Sequence, residues 1–312
     1  MLVARGCCSC NYQLSIIKYP LILSMLVIEN DKLKAVISAK GAELQSLVNK
    51  ETGLEYMWSG DAAYWGKHSP ILFPIVGTLK DDTYYYKEIA YQLSRHGFAR
   101  ERVFMKDQVS SNEALFTLNQ DVDTLAVYPF AFSLKLRYSL QDTALVCTYE
   151  VSNTGYDELL FSVGGHPAFA LPLVAGTTYA DYHLEFNETE NLHRWKLEGG
   201  LIAGHANPLP TPGNKLALQH ELFYEDAIVL KDMKSTSITI ASDKQAHGLR
   251  FNFTGFPFFG IWAAKDANFI CLEPWCGIAD SVATNQQLTA KEGIITLAAN
   301  THWQRSWNVE CF

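Results

Sequence analysis

Short segments in which apolar residues alternate with polar ones recur along the chain from residue 25 onward. Between residues 144 and 151, for example, Leu145, Cys147, Tyr149 and Val151 fall on one face of an extended chain. A repeat of two residues indicates a strand with one buried face, because successive side chains of a strand point to opposite sides. Similar alternation, or an apolar run of strand length, occurs at residues 26–28, 33–37, 42–48, 114–118, 132–140, 182–186, 227–230, 237–241, 248–253, 258–263 and 293–298.

Helical patterns are scarce. No segment keeps the apolar spacing of a helix over three turns. Residues 61–65, with Asp61 as N-cap, and residues 124–128 are each predicted to form a single helical turn. The sequence therefore predicts an all-β fold, a large antiparallel β-sandwich with long loops on one face. The Pro-rich residues 207–213 are predicted to form a surface loop.

The chain is predicted to contain one domain, residues 25–312, preceded by an extension, residues 1–24, that lies outside its core. Of the 312 residues, 48% are hydrophobic, and β-sandwiches of about 250 residues often form one domain. The apolar stretch in the extension, residues 14–23, is interrupted by Lys18 and Pro20. It is too short and too polar for a spanning helix or a secretory signal, so we expect no membrane partner.

Charge, cysteine content and missing motifs indicate which partners, compartment and cofactors to expect. The net charge is -8 and no basic cluster occurs, which argues against a nucleic-acid partner. The seven cysteines are odd in number and irregularly spaced, which predicts reduced thiols in a cytoplasmic protein. Cys7, Cys8 and Cys10 are interpreted as part of an appendage rather than a metal site. Phosphate-binding glycine loops, a nucleophile elbow and zinc-ligand spacings are absent, so no cofactor or metal is expected.

Three distant segments, residues 95–100, 164–169 and 272–277, each place an ionisable group beside turn-forming and aromatic residues. His166 follows two glycines and precedes a proline, and histidine gives or takes a proton near neutrality. Glu273 ends an apolar run, where burial would raise the pKa of its carboxyl toward that of a useful base. Each has a purely structural alternative: a histidine bonded to a neighbouring strand, and a buried glutamate bonded to backbone donors.

Five other candidates fit the binding of a sugar ring, which is polar at its edge and apolar on its faces. Trp275 and Phe98 offer flat apolar surfaces. Arg100 carries a permanent fork of donors for a hydroxyl or an anion, or for an ordinary salt bridge. Asp226, just before a predicted strand, either accepts bonds from hydroxyls or caps a turn. His96, the histidine of the first segment, is either a donor to a ligand oxygen or a surface residue.

The segments His96-Gly97-Phe98-Ala99-Arg100, Gly165-His166-Pro167-Ala168-Phe169 and Glu273-Pro274-Trp275 resemble those of the aldose 1-epimerase (galactose mutarotase) family. Leu72-Phe73-Pro74-Ile75-Val76-Gly77 is similar to a segment of its LacX-like branch, to which the hexose-6-phosphate mutarotases are related. The resemblance spans about residues 25–309. It implies a galactose-mutarotase-like β-supersandwich with a carbohydrate cleft, a sugar as substrate, and no cofactor.

The resemblance also implies roles for individual residues. His166 would be the general acid at the ring oxygen, Glu273 the general base at the anomeric hydroxyl, and His96 a group that holds or polarises the sugar near the ring oxygen. Asp226 matches a sugar-binding aspartate. Many relatives have an arginine where this chain has Thr78, so that contact is either missing or supplied by Lys80 or Arg100.

The predicted function is therefore the interconversion of the α and β anomers of a hexose or hexose phosphate. The alternative is a carbohydrate-binding or sugar-sensing protein without catalysis, which would need the aromatic and arginine residues but no acid–base pair. Glycoside hydrolysis ranks last, because it normally uses two carboxylates and only Glu273 stands out.

Overall fold

The computed structural model describes residues 25–312, and its regular structure is almost entirely β. The predicted extension, with Cys7, Cys8 and Cys10, lies outside the described residues. The strands are β1 Met25–Glu29, β2 Leu33–Ser38, β3 Glu43–Asn49, β4 Ile71–Leu72, β5 Thr83–Tyr86, β6 Ile89–Gln92, β7 Met105–Ser110, β8 Glu113–Asn119, β9 Phe132–Gln141, β10 Ala144–Asn153, β11 Leu159–Phe161, β12 Val163–Gly165, β13 Ala168–Ala170, β14 Tyr182–Phe186, β15 His193–Glu198, β16 Leu201–Pro208, β17 Lys215–Ala217, β18 Ile228–Lys231, β19 Ser237–Ser242, β20 Gln245–Asn252, β21 Phe258–Trp262, β22 Phe269–Cys276, β23 Ile295–Leu297 and β24 His302–Cys311.

Helical structure is confined to short pieces. The α-helix α1, Val122–Val127, is capped by Asp121, whose side chain accepts a hydrogen bond from the Thr124 amide. Residues 61–65 form the predicted isolated turn, in which the Asp61 side chain accepts a bond from the Ala63 amide. No helix among residues 25–312 has the length and hydropathy needed to cross a membrane. The 3₁₀ turns are Lys80–Asp82, Ala99–Glu101, Tyr179–Asp181, Pro212–Asn214, His220–Phe223 and Leu288–Ala290.

Two large antiparallel sheets dominate the architecture, which confirms the predicted fold class. The first has nine strands in the order β17-β14-β19-β20-β24-β10-β9-β8-β7. The second has eight, in the order β16-β15-β18-β21-β22-β12-β4, with β13 also paired to β22. Smaller sheets are formed by β1-β2-β3, β5-β6 and β11-β23. Aromatic rings join the faces of the two large sheets, as where Phe253 after β20 meets Phe259 of β21, with ring centroids 4.3 Å apart.

Strand β9 illustrates why these residues form a sheet. Its residues alternate between buried and half-buried along nearly the whole strand, as the sequence pattern predicts. A two-residue turn at Asp142, which has a φ of 51°, leads directly into β10. Aspartate tolerates this left-handed conformation better than most residues.

Some strands were not apparent from the sequence. All eight residues of β22 are buried, so this strand has no polar face and no alternation. β16 extends to Pro208, so the Pro-rich stretch predicted as a loop begins inside a strand. A proline is tolerated there because β16 is an edge strand of its sheet. The described cysteines, Cys147, Cys271, Cys276 and Cys311, are buried free thiols, in agreement with the prediction for them.

Candidate active site

A cavity of about 320 Å³ lies beside the eight-stranded sheet. This volume is within the range of small-molecule sites, at its lower end. Six of the seven predicted site residues contribute to its wall, although they come from four separate stretches of the chain. The lining residues are Trp65, Lys67, Gly77, Arg95, His96, Arg100, His166, Leu197, Gly200, Ile202, Asp226, Ala227, Val229, Trp262, Glu273, Trp275, Ile278 and Ala279.

His166 and Glu273 are brought together by the pairing of β22 with two short strands. β12 pairs Gly164 with Trp275, and β13 pairs Ala168 with Cys271. Residues 166 and 167 separate β12 from β13, and both strands keep the same antiparallel register with β22. His166 therefore stands opposite Glu273. The Nε2 atom of His166 lies 3.2 Å from an Oε atom of Glu273.

Both members of this pair are buried: His166 is 9% exposed and Glu273 is 2% exposed. Burial raises the pKa of the Glu273 carboxyl, and the positive charge of Arg95 opposes that rise. Burial lowers the pKa of the His166 imidazole, and the charges of Arg95 and Arg100 lower it further. Both shifts favour uncharged groups, because a low-dielectric environment penalises either ion. Burial of the pair therefore favours a protonated Glu273 beside a neutral His166.

Aromatic rings enclose His166. The ring of Trp65 stacks on it with centroids 5.0 Å apart, and Trp262 meets it edge-on at 5.6 Å. Trp275 of β22 leans across Gly260 of the neighbouring strand, where a Cβ atom would lie only 2.4 Å from the indole ring. The indole N–H of Trp275 forms no hydrogen bond of normal geometry among the described residues, but it lies close enough to the Glu273 carboxyl to lower the pKa of that group. The site thus combines apolar ring faces with polar groups at its edge, as a sugar requires.

His96 is fixed by a tight backbone turn. Its φ is 69°, its amide donates to the carbonyl of Gly77, and the Gly77 amide donates to its Nδ1 at 3.1 Å. The His96 ring lies edge-on to the ring of His166, with centroids 5.9 Å apart. Burial, together with the charges of Arg95 and Arg100, lowers the pKa of His96 well below its usual value. His96 is therefore a neutral imidazole held beside the acid–base pair.

Charged groups are unevenly distributed around the cavity. Arg95, Arg100 and Lys67 line it, and Lys67 is also paired with Glu101 at 2.7 Å. Asp226 lines it from the loop before β18, and its side chain accepts a bond from the Ala227 amide at 2.7 Å. Asp226 therefore bonds to the backbone of its neighbour and also faces the cavity, and its bond to a sugar hydroxyl stays a prediction.

Two side chains considered from the sequence lie away from the cavity wall. Phe98 does not line the cavity; its half-buried ring packs edge-on against Phe73 and Tyr128 in the core. Packing against other rings places it there, which residue type alone could not reveal. Lys80 does not replace the arginine of relatives at Thr78, because its ammonium group binds the carbonyl of Val282. Thr78 itself does not line the cavity.

Four charged or aromatic lining residues were missed from the sequence: Trp65, Lys67, Arg95 and Trp262. Arg95 directly precedes His96, so the motif itself carried a signal that was not used. Trp65 and Lys67 flank Gly66 in a short irregular segment, which is a weaker signal. Trp262 ends β21, and only the pairing of that strand with β22 brings it to the site.

One set of side chains could hold a metal ion. Ligand atoms of His166, Cys271 and Glu273 lie within 4.8 Å of one another. Metal binding would require a thiolate, but burial and the nearby Glu273 raise the pKa of Cys271 well above its usual value. The Cys271 side chain also does not line the cavity. The chemistry of this set therefore fits a proton-transfer pair better than a metal centre.

The two packed antiparallel sheets, with this cavity beside one of them, define a galactose mutarotase-like β-sandwich protein. Residues 24–304 match the family model described as aldose 1-epimerase, and the chain belongs to that family. It is 32% identical over 292 residues to the chromosomal protein LacX of Lactococcus lactis subsp. lactis, covering 90% of this chain and 97% of LacX.

Two solved structures show the same fold. A galactose mutarotase related enzyme from Lactobacillus acidophilus is 32% identical, with a TM-score of 0.89 over 93% of this chain and 97% of that one. A galactose mutarotase-like protein from Lactobacillus casei is 35% identical, with a TM-score of 0.87 over 93% of this chain and all (100%) of that one. The predicted family, including its LacX-like branch, is therefore confirmed.

Proposed function

We propose that the protein is an aldose 1-epimerase that interconverts the α and β anomers of a hexose or hexose phosphate within residues 25–312, acting as one domain. The observation that carries this proposal is the His166–Glu273 pair, 3.2 Å apart in a cavity walled by indole rings. A proton donor and a proton acceptor within reach of one small ring are what ring opening needs.

In this mechanism Glu273 takes the proton of the anomeric hydroxyl while His166 gives a proton to the ring oxygen. The C1–O5 bond breaks and C1 becomes an aldehyde. Rotation about C1–C2 presents the other face of the carbonyl, and the reverse proton transfers close the ring. Each positioned acid or base typically contributes about 10² to 10⁴ in rate.

The roles require that the shared proton start on His166, whereas burial favours its position on Glu273. The two arrangements are tautomers of one singly protonated pair, joined by the 3.2 Å contact. One proton shift along that contact therefore reaches the reactive form without exchange with solvent. The charge of Arg95 acts on both partners of this shift, since it stabilises the Glu273 carboxylate and opposes the His166 imidazolium.

The remaining lining residues position the sugar in this proposal. Trp275, Trp65 and Trp262 cover its apolar faces. Asp226 accepts from hydroxyls, and His96 and Arg100 donate to ring or substituent oxygens. The reaction is redox-neutral and transfers only protons, so these side chains are sufficient for it.

The test follows anomer interconversion by polarimetry or NMR with glucose, galactose and their 6-phosphates. We expect wild type to exceed the buffer rate on at least one of these sugars and Glu273→Gln to fall by about 10²-fold or more. Rates equal to buffer for wild type on every sugar would reject the epimerase. Saturable sugar binding in that case would identify a carbohydrate-binding or sensing protein.

A further inference from the structure

Strand pairing places His166 and Val229 on opposite sides of Glu273, along one face of the eight-stranded sheet. Gly260 of β21 is paired with Glu273 of β22, and Val229 of β18 is paired with Gly260. Directly paired residues of antiparallel strands direct their side chains to the same face of the sheet. His166 stands opposite Glu273 on the other side of β22, so these residues form one row. Because neighbouring strands are about 4.8 Å apart, Val229 lies about two strand spacings from Glu273.

The part of the cavity between Glu273 and Val229, and beyond it, is apolar. Gly260 has no side chain, and the indole ring of Trp275 occupies the space next to it. Val229 and Trp275 belong to one cluster of packed apolar side chains. The aliphatic lining residues of this part, here called the aliphatic end, are Leu197, Ile202, Ala227, Val229, Ile278 and Ala279. None of these side chains carries a hydrogen-bond donor or acceptor.

A carboxylate borders the aliphatic end, whereas the arginines of the cavity act at the other end. Arg95 and Arg100 line the cavity near His166, where their charges lower the pKa of its imidazole. Asp226 directly precedes Ala227 and lines the cavity from the loop before β18. One of its oxygens accepts a hydrogen bond from the Ala227 amide at 2.7 Å, and a carboxylate has further acceptor capacity. The aliphatic end thus has an acceptor at its border.

The proposed roles of Glu273 and His166 determine which part of a sugar meets the aliphatic end. In an aldopyranose, C1 is bonded to the ring oxygen on one side and to C2 on the other. With C1 at Glu273 and the ring oxygen at His166, the substituent on C2 extends toward Val229. A hydroxyl there would reach the acceptor Asp226 but would leave the aliphatic side chains without an apolar partner. An acetamido group has both an N–H for the carboxylate and a methyl for the aliphatic side chains.

We propose that the aliphatic end binds the acetamido group of a 2-acetamido-2-deoxyhexose, such as N-acetylglucosamine, and makes such sugars the preferred substrates. The amide N–H donates to the carboxylate of Asp226, and the methyl group packs against the aliphatic side chains. The inference rests on the proposed function, because the direction of C2 follows from the roles of Glu273 and His166. One extra methyl or methylene group in an apolar pocket typically changes kcat/KM by about tenfold or more.

The experiment compares kcat/KM for glucose, N-acetylglucosamine and N-formylglucosamine after subtraction of the buffer rate. The N-formyl sugar keeps the amide N–H but lacks the methyl group, so its comparison with the N-acetyl sugar isolates the methyl contact. We expect N-acetylglucosamine to exceed each of the other two sugars by about tenfold. A value for N-acetylglucosamine that is no higher than that for glucose, or no higher than that for the N-formyl sugar, would overturn the inference.

Val229→Thr changes the aliphatic end with little change in size, because threonine has a hydroxyl where valine has a second methyl. It should bring the ratio of kcat/KM for the N-acetyl and N-formyl sugars down toward one, and a wild-type ratio would contradict the proposal. Both values come from one sample, so a smaller folded fraction does not alter the ratio. If Val229→Thr does not fold, Leu197→Asn at a half-buried position of the same end should lower the ratio in the same way.

Val146→Thr in β10 is the matched control, since Val146 does not line the cavity. It should keep the wild-type ratio. Calorimetric binding of N-acetylglucosamine and of glucose separates this inference from the proposed function. A preference for N-acetylglucosamine that depends on Val229, without interconversion of any sugar, would reject the epimerase and retain the acetamido subsite. Interconversion of glucose without any preference for the acetamido sugar would retain the epimerase and reject the subsite.

Discussion

At the scale of single residues, the central feature is a buried acid–base pair that prefers to be uncharged. Glu273 and His166 are isolated from water, and no permanent charge touches either of them within the described residues. Because they contact each other, their titration belongs to the pair rather than to either residue alone. The pair holds one proton over a wide pH range, and that singly protonated form has both a donor and an acceptor.

This pair predicts the pH dependence of activity. Burial raises the pKa of Glu273 to about 8 and lowers that of His166 to about 3. As the pH rises through the raised pKa, the pair loses its titratable proton, and neutral imidazole is too weak an acid to act as the general acid. We therefore expect kcat/KM to be level near neutrality and to fall above about pH 8.

A pH–rate profile of kcat/KM checks this expectation, with Arg95→Gln as a second sample. Removing the charge of Arg95 should move the alkaline fall to higher pH, because that charge lowers the pKa of Glu273. A rate that rises through pH 8 would contradict the argument, and it would show that ionised Glu273 with neutral His166 is the active form.

At the scale of elements, β22 organises the site through its two neighbours. On one side the break between β12 and β13 releases His166 from the ladder, and Pro167 cannot donate to β22. On the other side β21 places Gly260 opposite Glu273. The missing side chain at Gly260 leaves the space that the Trp275 ring occupies. The position of Trp275 thus depends on a glycine in a different strand.

Gly260→Ala tests this dependence. A Cβ atom there would lie 2.4 Å from the Trp275 ring, so the indole must move or the strands must separate. Such overpacking typically costs about 1–3 kcal/mol. If the cost is borne by displacing the indole from the bound sugar, we expect KM for the best sugar to rise about tenfold. Tryptophan fluorescence should then be quenched or shifted.

Gly204→Ala in β16 of the same sheet is the control, because nothing lies within 4 Å of the added atom. Its kinetics should equal those of wild type. Equal KM values for Gly260→Ala and wild type would show that Trp275 does not depend on Gly260 for its contribution to binding.

At the scale of the whole molecule, a buried ion pair holds one wall of the cavity. Lys291 and Asp280 are 2.7 Å apart with side chains that are each 3% exposed. The Asp280 amide donates to the carbonyl of Thr78, and the Ile202 amide donates to the carbonyl of Asp280. Three distant parts of the chain therefore meet behind the lining residues Ile278 and Ala279.

Removing Lys291 should be strongly destabilising. Lys291→Met would leave the Asp280 carboxylate buried and unpaired, which typically costs about 3–5 kcal/mol. Asp280→Asn combined with Lys291→Met should recover part of this loss, because no uncompensated charge remains. Urea unfolding measures both variants against wild type. A double variant no more stable than Lys291→Met would indicate that the pair acts through shape and hydrogen bonds rather than charge.

The sequence was informative where the structural signal is local. Alternation predicted β9 and β10 because each has one buried face, and the capped turn at Asp61 was visible in its residues. The sequence did not reveal β22 as a strand, because both faces of β22 are buried and its residues show no alternation of apolar and polar types. It also misplaced Phe98, since an aromatic ring beside a site motif can face the core as readily as the cavity.

By itself the sequence determined the all-β class, the family segments and the three ionisable residues His96, His166 and Glu273. These follow from residue types and short spacings that need no partner strand. Only the tertiary structure decided that His166 stands opposite Glu273, that Trp65 and Trp262 enclose it, and that Arg95 faces His96. The physical reason is that strand register and the packing of one sheet on another are set by contacts between residues far apart in the chain.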